Sequence, residues 1–180
     1  MGCRLIQIRE KDLSARALFE LARALIAATQ PFAAKVLIND RLDVALAAGA
    51  AGVHLRASSV PASAARAVAV SKGLNDFLIG VSTHNLAEAR SAGAGGADFI
   101  VCGPVYDTPS KRAYGSPIGI ESFAEICEAV QIPVLALGGI DLTNFQEPLR
   151  RGAAGIAAIR LFAEQDSLKY NIEAILNAGV

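Results

Sequence analysis

The sequence predicts an α/β fold of repeated β/α units, arranged as a (β/α)8 TIM barrel in a single domain over residues 1–180. The first observation is a sequence motif that occurs three times, at residues 48–55, 92–100 and 151–158. In each copy a helical stretch ends at a glycine and a short apolar run follows. Glycine is favoured just past a helix end, and such an apolar run is typical of a strand in a parallel sheet.

The second observation is a regular alternation of strand patterns and helical patterns, which predicts parallel strands joined by crossover helices. Strands are predicted at residues 4–8, 35–39, 52–55, 77–81, 98–102, 132–137 and 154–158. Helices are predicted at residues 14–29, 41–48, 61–72, 85–92, 120–130 and 142–150, with a last helix after Phe162. Ser14 is a suitable N-cap for the first helix. A doubly wound open sheet is the alternative, but no G-x-G-x-x-G motif follows the first strand.

A (β/α)8 barrel has eight strands, and the sequence shows seven strand patterns. We therefore expect that the first β/α unit is missing. Strand edges left open in this way favour association, so we also expect a homo-oligomer.

The composition excludes several classes of protein. The 180 residues are 53% hydrophobic and 19% charged with zero net charge, which indicates a globular protein. The chain has no basic run, so neither nucleic acid nor an anionic membrane surface is an expected partner. No apolar run approaches the roughly 20 residues that span a bilayer. The chain shows no signal peptide, and its three cysteines have no metal-type spacing, so we expect a cytoplasmic protein with reduced thiols.

The candidate functional residues are those that follow the strands, because the active sites of such barrels lie at the carboxyl ends of the strands. We call the residues at these strand ends the rim. The rim is rich in cations although the chain is neutral; they are Arg9, Lys11, Arg41, Arg56, Lys111 and Arg160. Arginine and lysine bind phosphate, and Gly138-Gly139 lets a ligand approach the backbone beside a helix start. The rim therefore predicts a phosphorylated ligand; ordinary solvated charges are the alternative.

Three further rim residues have two interpretations each. His54 lies inside the third strand and is interpreted as structural rather than catalytic. His84 follows a strand and either caps the next helix or contacts the ligand. Asp40, after Asn39, is either a carboxylate ligand for Mg²⁺ or the cap of the helix that begins near Arg41.

Six short motifs occur in order along the chain. They are residues 7–11 (Q-I-R-E-K), 38–41 (I-N-D-R), 52–55 (G-V-H-L), 80–84 (G-V-S-T-H), 103–111 (G-P-V-Y-D-T-P-S-K) and 133–140 (P-V-L-A-L-G-G-I). Together they resemble the signatures of the thiamine-phosphate synthase and TenI superfamily, whose members are (β/α)8 barrels.

The resemblance implies a transferase of thiamine biosynthesis that joins hydroxymethylpyrimidine diphosphate to thiazole phosphate and releases diphosphate. It implies catalytic roles for Arg9, Lys11 and Lys111, with Mg²⁺ as cofactor and Asp40 as one metal ligand. The resemblance and the rim together predict small phosphorylated substrates. The predicted substrate-binding residues are Gln7, Asn39, Arg56, Ser82, Thr108, Ser110, Gly138, Gly139, Ile159 and Arg160.

The sequence departs from the family pattern at two places on the rim. Ser59 stands where the family has a second metal carboxylate, and Arg56 nearby supplies a fixed positive charge. Arg160 replaces the serine that usually follows the last strand. Two alternatives remain, a TenI-like thiazole tautomerase and a non-catalytic binder of phosphorylated thiazole or thiamine ligands. The catalytic histidine of the tautomerases aligns with Pro104, so a tautomerase would need another base, for example His84.

Overall fold

The structure is a computed structural model that describes residues 3–108 and 116–178. Its strands are β1 (Leu5–Ile8), β2 (Lys35–Asn39), β3 (Gly52–Leu55), β4 (Leu78–Thr83), β5 (Phe99–Cys102), β6 (Val134–Leu137) and β7 (Gly155–Ala157). Its helices are α1 (Ala15–Thr29), α2 (Leu42–Ala48), α3 (Ala62–Ser71), α4 (Leu86–Ala94), α5 (Gly119–Ala129), α6 (Gln146–Arg150), α7 (Arg160–Ala163) and α8 (Gln165–Asn177), and a 3₁₀ turn (Gln30–Phe32) follows α1.

The predicted alternation of strands and helices is confirmed, and every predicted strand lies within two residues of its observed bounds. Ser14 caps α1 as predicted, because its hydroxyl accepts the Ala17 N–H at 3.2 Å. The prediction was less accurate late in the chain. Helix α6 begins at Gln146, four residues after the predicted start, and the last helical segment is divided into α7 and α8.

The glycine of the repeated sequence motif ends a helix, as predicted, in two of the three copies. Gly49 and Gly152 have φ angles of +69° and +95°, the left-handed conformation that glycine adopts at low cost. In the middle copy α4 continues through Gly93 to Ala94, and Gly96 is the residue with a positive φ, of +83°. The expected end of that helix at residue 92 was therefore wrong by one half-turn.

The described residues form two compact units. The first unit contains Cys3–Val81 and Gly95–Asp98, and the second contains Ser82–Ala94 with residues 99–108 and 116–178.

In the first unit, β1, β2, β3 and the start of β4 pair in parallel and in chain order. Gln7 of β1 lies opposite Leu37 of β2, which lies opposite Gly52 of β3. The strands carry fully buried apolar side chains, and α1 contacts β2 and α2. Near-continuous apolar strands are those of a sheet covered on both faces.

A polar clamp fixes the start of β4 in this unit. The guanidinium of Arg66 donates to the carbonyl oxygens of Phe77 (2.8 Å) and Gly96 (3.2 Å) and to the carboxylate of Asp98 (2.6 Å). The same Asp98 oxygen accepts the Ile79 N–H at 2.6 Å. One arginine thus joins α3 to the segments on both sides of the strand.

In the second unit, β5, β6 and β7 pair in parallel and in chain order. Helix α5 buries Phe123 and Ile126. Helix α8 is fixed to α7 by the buried Asn171, whose amide donates to the Leu161 carbonyl at 2.9 Å. No helix in the described part of the chain is long and apolar enough to cross a membrane. None of the three cysteines forms a disulfide.

Candidate functional site

A pair of amides lies at the ends of the first two strands of the first unit. Gln7 lies in β1 and Asn39 is the last residue of β2, and the Gln7 Nε2 donates to the Asn39 Oδ1 at 2.9 Å. Gln7 is exposed and Asn39 is half-buried. The structure therefore brings together two residues that the sequence predicted to contact substrate.

Two cations follow the same end of β1. Arg9 and Lys11 are exposed, and neither forms an ion pair or a side-chain hydrogen bond with another residue in the described ranges. Arg41, by contrast, is paired with Asp43 at 2.6 Å. Arg9 and Lys11 are thus predicted cations whose charge no side chain in the described ranges neutralises.

Asp40 lies at the end of β2, and its carboxylate is held by two donors of the protein. The Ser59 hydroxyl donates to Oδ1, and the Arg56 Nη2 donates to Oδ2 in an ion pair. Ser59 is oriented in turn, because its hydroxyl accepts the Arg56 backbone N–H at 2.8 Å. The interpretation of Asp40 as a helix cap is wrong, since the N-cap residue of α2 is Arg41 and no side chain caps that helix.

These contacts keep Asp40 ionised. Burial alone would raise the pKa of its carboxyl group. The hydrogen bonds from Ser59 and Arg56, together with the charges of Arg56 and Arg41, outweigh burial and lower the pKa below its ordinary value. The result is a carboxylate whose negative charge is balanced by a guanidinium.

This arrangement does not fit a magnesium site. Thiamine-phosphate synthases in general use Mg²⁺, and that ion prefers octahedral oxygen ligands including one or two carboxylates. Among the residues that the structure describes, no group of three or more His, Cys, Asp or Glu side chains could hold a metal ion. Both oxygens of Asp40 already accept hydrogen bonds, and the neighbouring Arg56 would repel a cation.

His54 has the properties of a structural residue. It lies in β3 with only 3% of its surface exposed, and its burial lowers the pKa of the imidazole to about 4. The ring is therefore neutral at neutral pH, which agrees with the structural interpretation.

In the second unit, Gly138 and Gly139 follow β6 with φ angles of +100° and +66°. A Cβ atom on Gly138 would lie 2.5 Å from the Cβ of Pro104, and one on Gly139 would lie 2.6 Å from the Cβ of Tyr106. The Tyr106 N–H donates to the Gly138 carbonyl at 3.0 Å. Both the backbone conformation and the close packing of the loop after β5 thus require glycine at these positions.

Tyr106 and Glu147 form a contact that the sequence did not predict. The Tyr106 hydroxyl donates to the Glu147 Oε2 at 2.7 Å and so joins the loop after β5 to the first turn of α6. Burial, followed by the hydrogen bond and the charge of Glu147, raises the pKa of Tyr106. Asn144 donates to the Gly139 carbonyl at 2.9 Å. A glutamate in the first turn of a helix carries no signal that would have identified it.

Thr108 and Arg160, two predicted substrate contacts, lie together. The Arg160 Nη2 donates to the Thr108 Oγ1 at 3.4 Å; Thr108 is buried and Arg160 is exposed at the start of α7. Ile159, just before that helix, is 67% exposed. Ser110 and Lys111 lie outside the described residues.

Ser82 and His84 lie at the end of β4. Ser82 is half-buried within the strand. The Nδ1 of His84 is 2.5 Å from the Gly103 carbonyl oxygen, which orients the ring. Asn85, and not His84, caps α4: its side chain accepts the Glu88 N–H at 2.9 Å, and Glu88 accepts the His84 N–H at 2.8 Å.

Comparisons with known proteins all indicate the same family. Residues 1–162 match the family model for thiamine monophosphate synthase (TMP-TENI). The chain is 50% identical over 175 residues to a Geobacter sulfurreducens protein named "Putative thiamine-phosphate synthase", covering 97% of this chain and 80% of that one. It is 36% identical over 168 residues to the thiamine-phosphate synthase of Clostridium botulinum (strain Hall), covering 93% and 80% of the two chains.

A solved structure agrees with this result. The thiamine phosphate pyrophosphorylase from Pyrococcus furiosus superposes with a TM-score of 0.83 at 33% identity, covering 97% of this chain and 85% of that one. The parallel strands and alternating helices are those of a TIM-barrel-like α/β fold. The match over residues 1–162 and the identities of 36% and 50% establish that this chain belongs to the thiamine monophosphate synthase family of thiamine biosynthesis.

Proposed function

We propose that this chain is a transferase that joins hydroxymethylpyrimidine diphosphate to thiazole phosphate and releases diphosphate. The observation that carries the proposal is the pair of exposed cations Arg9 and Lys11, which follow the strand that carries Gln7 of the Gln7–Asn39 amide pair. A diphosphate needs cations, and an aminopyrimidine needs amide donors and acceptors. The first unit offers both at the end of β1 and β2.

The proposed reaction requires no proton transfer. The bond between the pyrimidine methylene carbon and the diphosphate oxygen breaks, and the electron pair leaves with diphosphate. The thiazole nitrogen then donates its lone pair to the methylene cation, and thiamine phosphate forms. Arg9 and Lys11 stabilise the negative charge that develops on the leaving group, which is where fixed cations contribute most to catalysis. Gln7 and Asn39 orient the pyrimidine ring.

The second unit is suited to the phosphate of the thiazole substrate. Gly138 and Gly139 are half-buried, and their backbone N–H groups are proposed to bind that phosphate. Arg160 offers a guanidinium beside Thr108, and Ser82 is proposed to contact the pyrimidine. Lys111 and Ser110, which follow Thr108 in the sequence, are proposed to have the catalytic and substrate-binding roles that the family resemblance implies.

The family match covers both compact units, which supports one synthase domain over residues 1–180. It also supports the assignment of the seven described strands to seven of the eight positions of a (β/α)8 barrel. The biosynthetic role of the family supports small phosphorylated substrates and a cytoplasmic location. Assembly into a homo-oligomer stays a prediction.

The test is an assay of thiamine phosphate formation by the purified chain from the two substrates. Lys11→Ala is expected to lower kcat/KM by roughly 10- to 100-fold, because a hydrogen bond to a charged group contributes about 1.5–3 kcal/mol. Lys35→Ala is the matched control, since Lys35 is an exposed lysine at the opposite end of β2. Calorimetry with thiamine phosphate separates the alternatives: binding without turnover would favour the non-catalytic binder, and equal activity of the two variants would refute the role of Lys11.

A further inference from the structure

We infer that Arg56 takes the place of a divalent metal ion beside Asp40, so that the first unit binds a diphosphate group without Mg²⁺. The identity of the anion rests on the proposed function. The replacement of the metal rests on the cluster of Asp40, Arg56 and Ser59 itself.

Several hydrogen bonds hold the side chains of this cluster in place, so it is not a chance surface contact. Asp40 follows β2, whereas Arg56 and Ser59 follow β3, and the Asp40 N–H donates to the His54 carbonyl at 2.8 Å. The two strand ends are therefore joined by both backbone and side-chain hydrogen bonds. The carboxylate of Asp40 is only 25% exposed, and each of its oxygens has a donor from the protein. A metal ion at this carboxylate would have to share its oxygens with these two donors.

The charges of the cluster also disfavour the binding of a metal ion at Asp40. One carboxylate and one guanidinium sum to zero, and the neighbouring Arg41 is neutralised by Asp43. A single carboxylate that already has a cationic partner offers a divalent ion little attraction, and the ion would meet the like charge of Arg56. Arg56 thus already supplies one positive charge beside Asp40, where Mg²⁺ would supply two.

Arg56 also has donors left for a ligand. A guanidinium carries five N–H donors in a planar fork, and Asp40 accepts from Nη2. Within the described ranges the other side-chain donors of Arg56 have no partner, and the side chain is 50% exposed. Asp40 therefore acts as a positioning residue, and Arg56 presents its remaining N–H groups to phosphate oxygens.

The first experiment uses metal alone as the probe, with Mn²⁺ binding to the full chain followed by electron paramagnetic resonance. The wild-type chain is expected to show no specific Mn²⁺ site. The double variant Arg56→Gly/Ser59→Asp removes the cation and places a second carboxylate opposite Asp40, so its affinity for Mn²⁺ is expected to rise about tenfold or more. A wild-type Mn²⁺ site that is lost in Asp40→Asn would overturn the inference, and circular dichroism of each variant confirms that it is folded.

The second experiment is calorimetry with inorganic pyrophosphate, in EDTA and in Mg²⁺. The affinity in EDTA is expected to match that in Mg²⁺ within about threefold, and Arg56→Gln is expected to weaken it about tenfold or more. Arg16→Gln is the matched control, because Arg16 is an exposed arginine that pairs with Glu20 on α1. Binding that requires Mg²⁺, or that survives Arg56→Gln, would overturn the inference while leaving the proposed function intact. No binding under either condition would count against the proposed function and the diphosphate site, and the Mn²⁺ titration would still decide whether Arg56 replaces the metal.

Discussion

Acidification is expected to destabilise this protein through His54. The ordinary pKa of histidine is 6.5, and burial within β3 lowers the pKa of His54 to about 4. Between these two values the unfolded chain takes up a proton that the folded chain does not. The unfolded state then binds more protons, so the free energy of unfolding falls as the pH falls from 6.5 towards 4.

The magnitude follows from the difference between the two pKa values. One pKa unit corresponds to 1.36 kcal/mol, so the full loss below pH 4 is about 3 kcal/mol, and about 2 kcal/mol of it is reached at pH 5. Asp40, Asp43 and Asp141 contribute little above pH 5, because their pKa values are lowered below the ordinary 3.8 and these groups stay ionised there in both states. A loss of this size is a large fraction of the stability of a typical domain.

The assay is urea unfolding at pH 7, 6 and 5, followed by circular dichroism. His54→Gln removes the titrating group, so its free energy of unfolding should be nearly constant from pH 7 to pH 5. His84→Gln is the matched control, because His84 is exposed and His54 remains; this variant should keep the dependence of the wild-type chain. A wild-type stability that does not change over this range, or a slope that persists in His54→Gln, would refute the reasoning.

Three further predictions concern single contacts and are checked by urea unfolding. Gly139→Ala should lower the free energy of unfolding by about 2 kcal/mol or more, because its Cβ would lie 2.6 Å from the Cβ of Tyr106 at a φ of +66°. Gly93→Ala, in the last turn of α4 with its nearest neighbour at 3.7 Å, should instead raise it by about 0.5 kcal/mol, and equal effects would contradict the packing argument. Arg66→Gln should cost about 3 kcal/mol since it removes the clamp on β4, and a cost below about 0.5 kcal/mol would show that the clamp is dispensable. Asn171→Leu should cost about 1–3 kcal/mol and expose α8 to proteases; unchanged proteolysis would be inconsistent with its role as an anchor.

The strands and helices could be predicted from the sequence because their signals are local. Short apolar runs mark the strands, and Ser14 and Gly49 mark the beginning of α1 and the end of α2. The end of α4 was missed because its last residues are alanine and glycine, whose sequence does not decide between Gly93 and Gly96 as the left-handed residue. The positions of most rim residues followed from the strands, since a parallel sheet places them at strand ends.

The partners of these rim residues could not be predicted, because they come from distant parts of the chain. Asp40 and Arg56 are 16 residues apart, and Asp40 and Ser59 are 19 apart. Tyr106 and Glu147 are 41 residues apart, and their contact depends on how the loop after β5 packs against α6. The sequence therefore identified Asp40 as a metal ligand or a helix cap, whereas its structure shows a carboxylate bound to an arginine and a serine.

The most direct measurement of the central claim is product formation by the purified wild-type chain supplied with hydroxymethylpyrimidine diphosphate and thiazole phosphate. Mass spectrometry should detect thiamine phosphate that accumulates with time together with an equal amount of diphosphate. The rate should fall in Lys11→Ala and remain unchanged in Lys35→Ala. The absence of thiamine phosphate from a folded chain, whether in Mg²⁺ or in EDTA, would contradict the assignment of synthase activity.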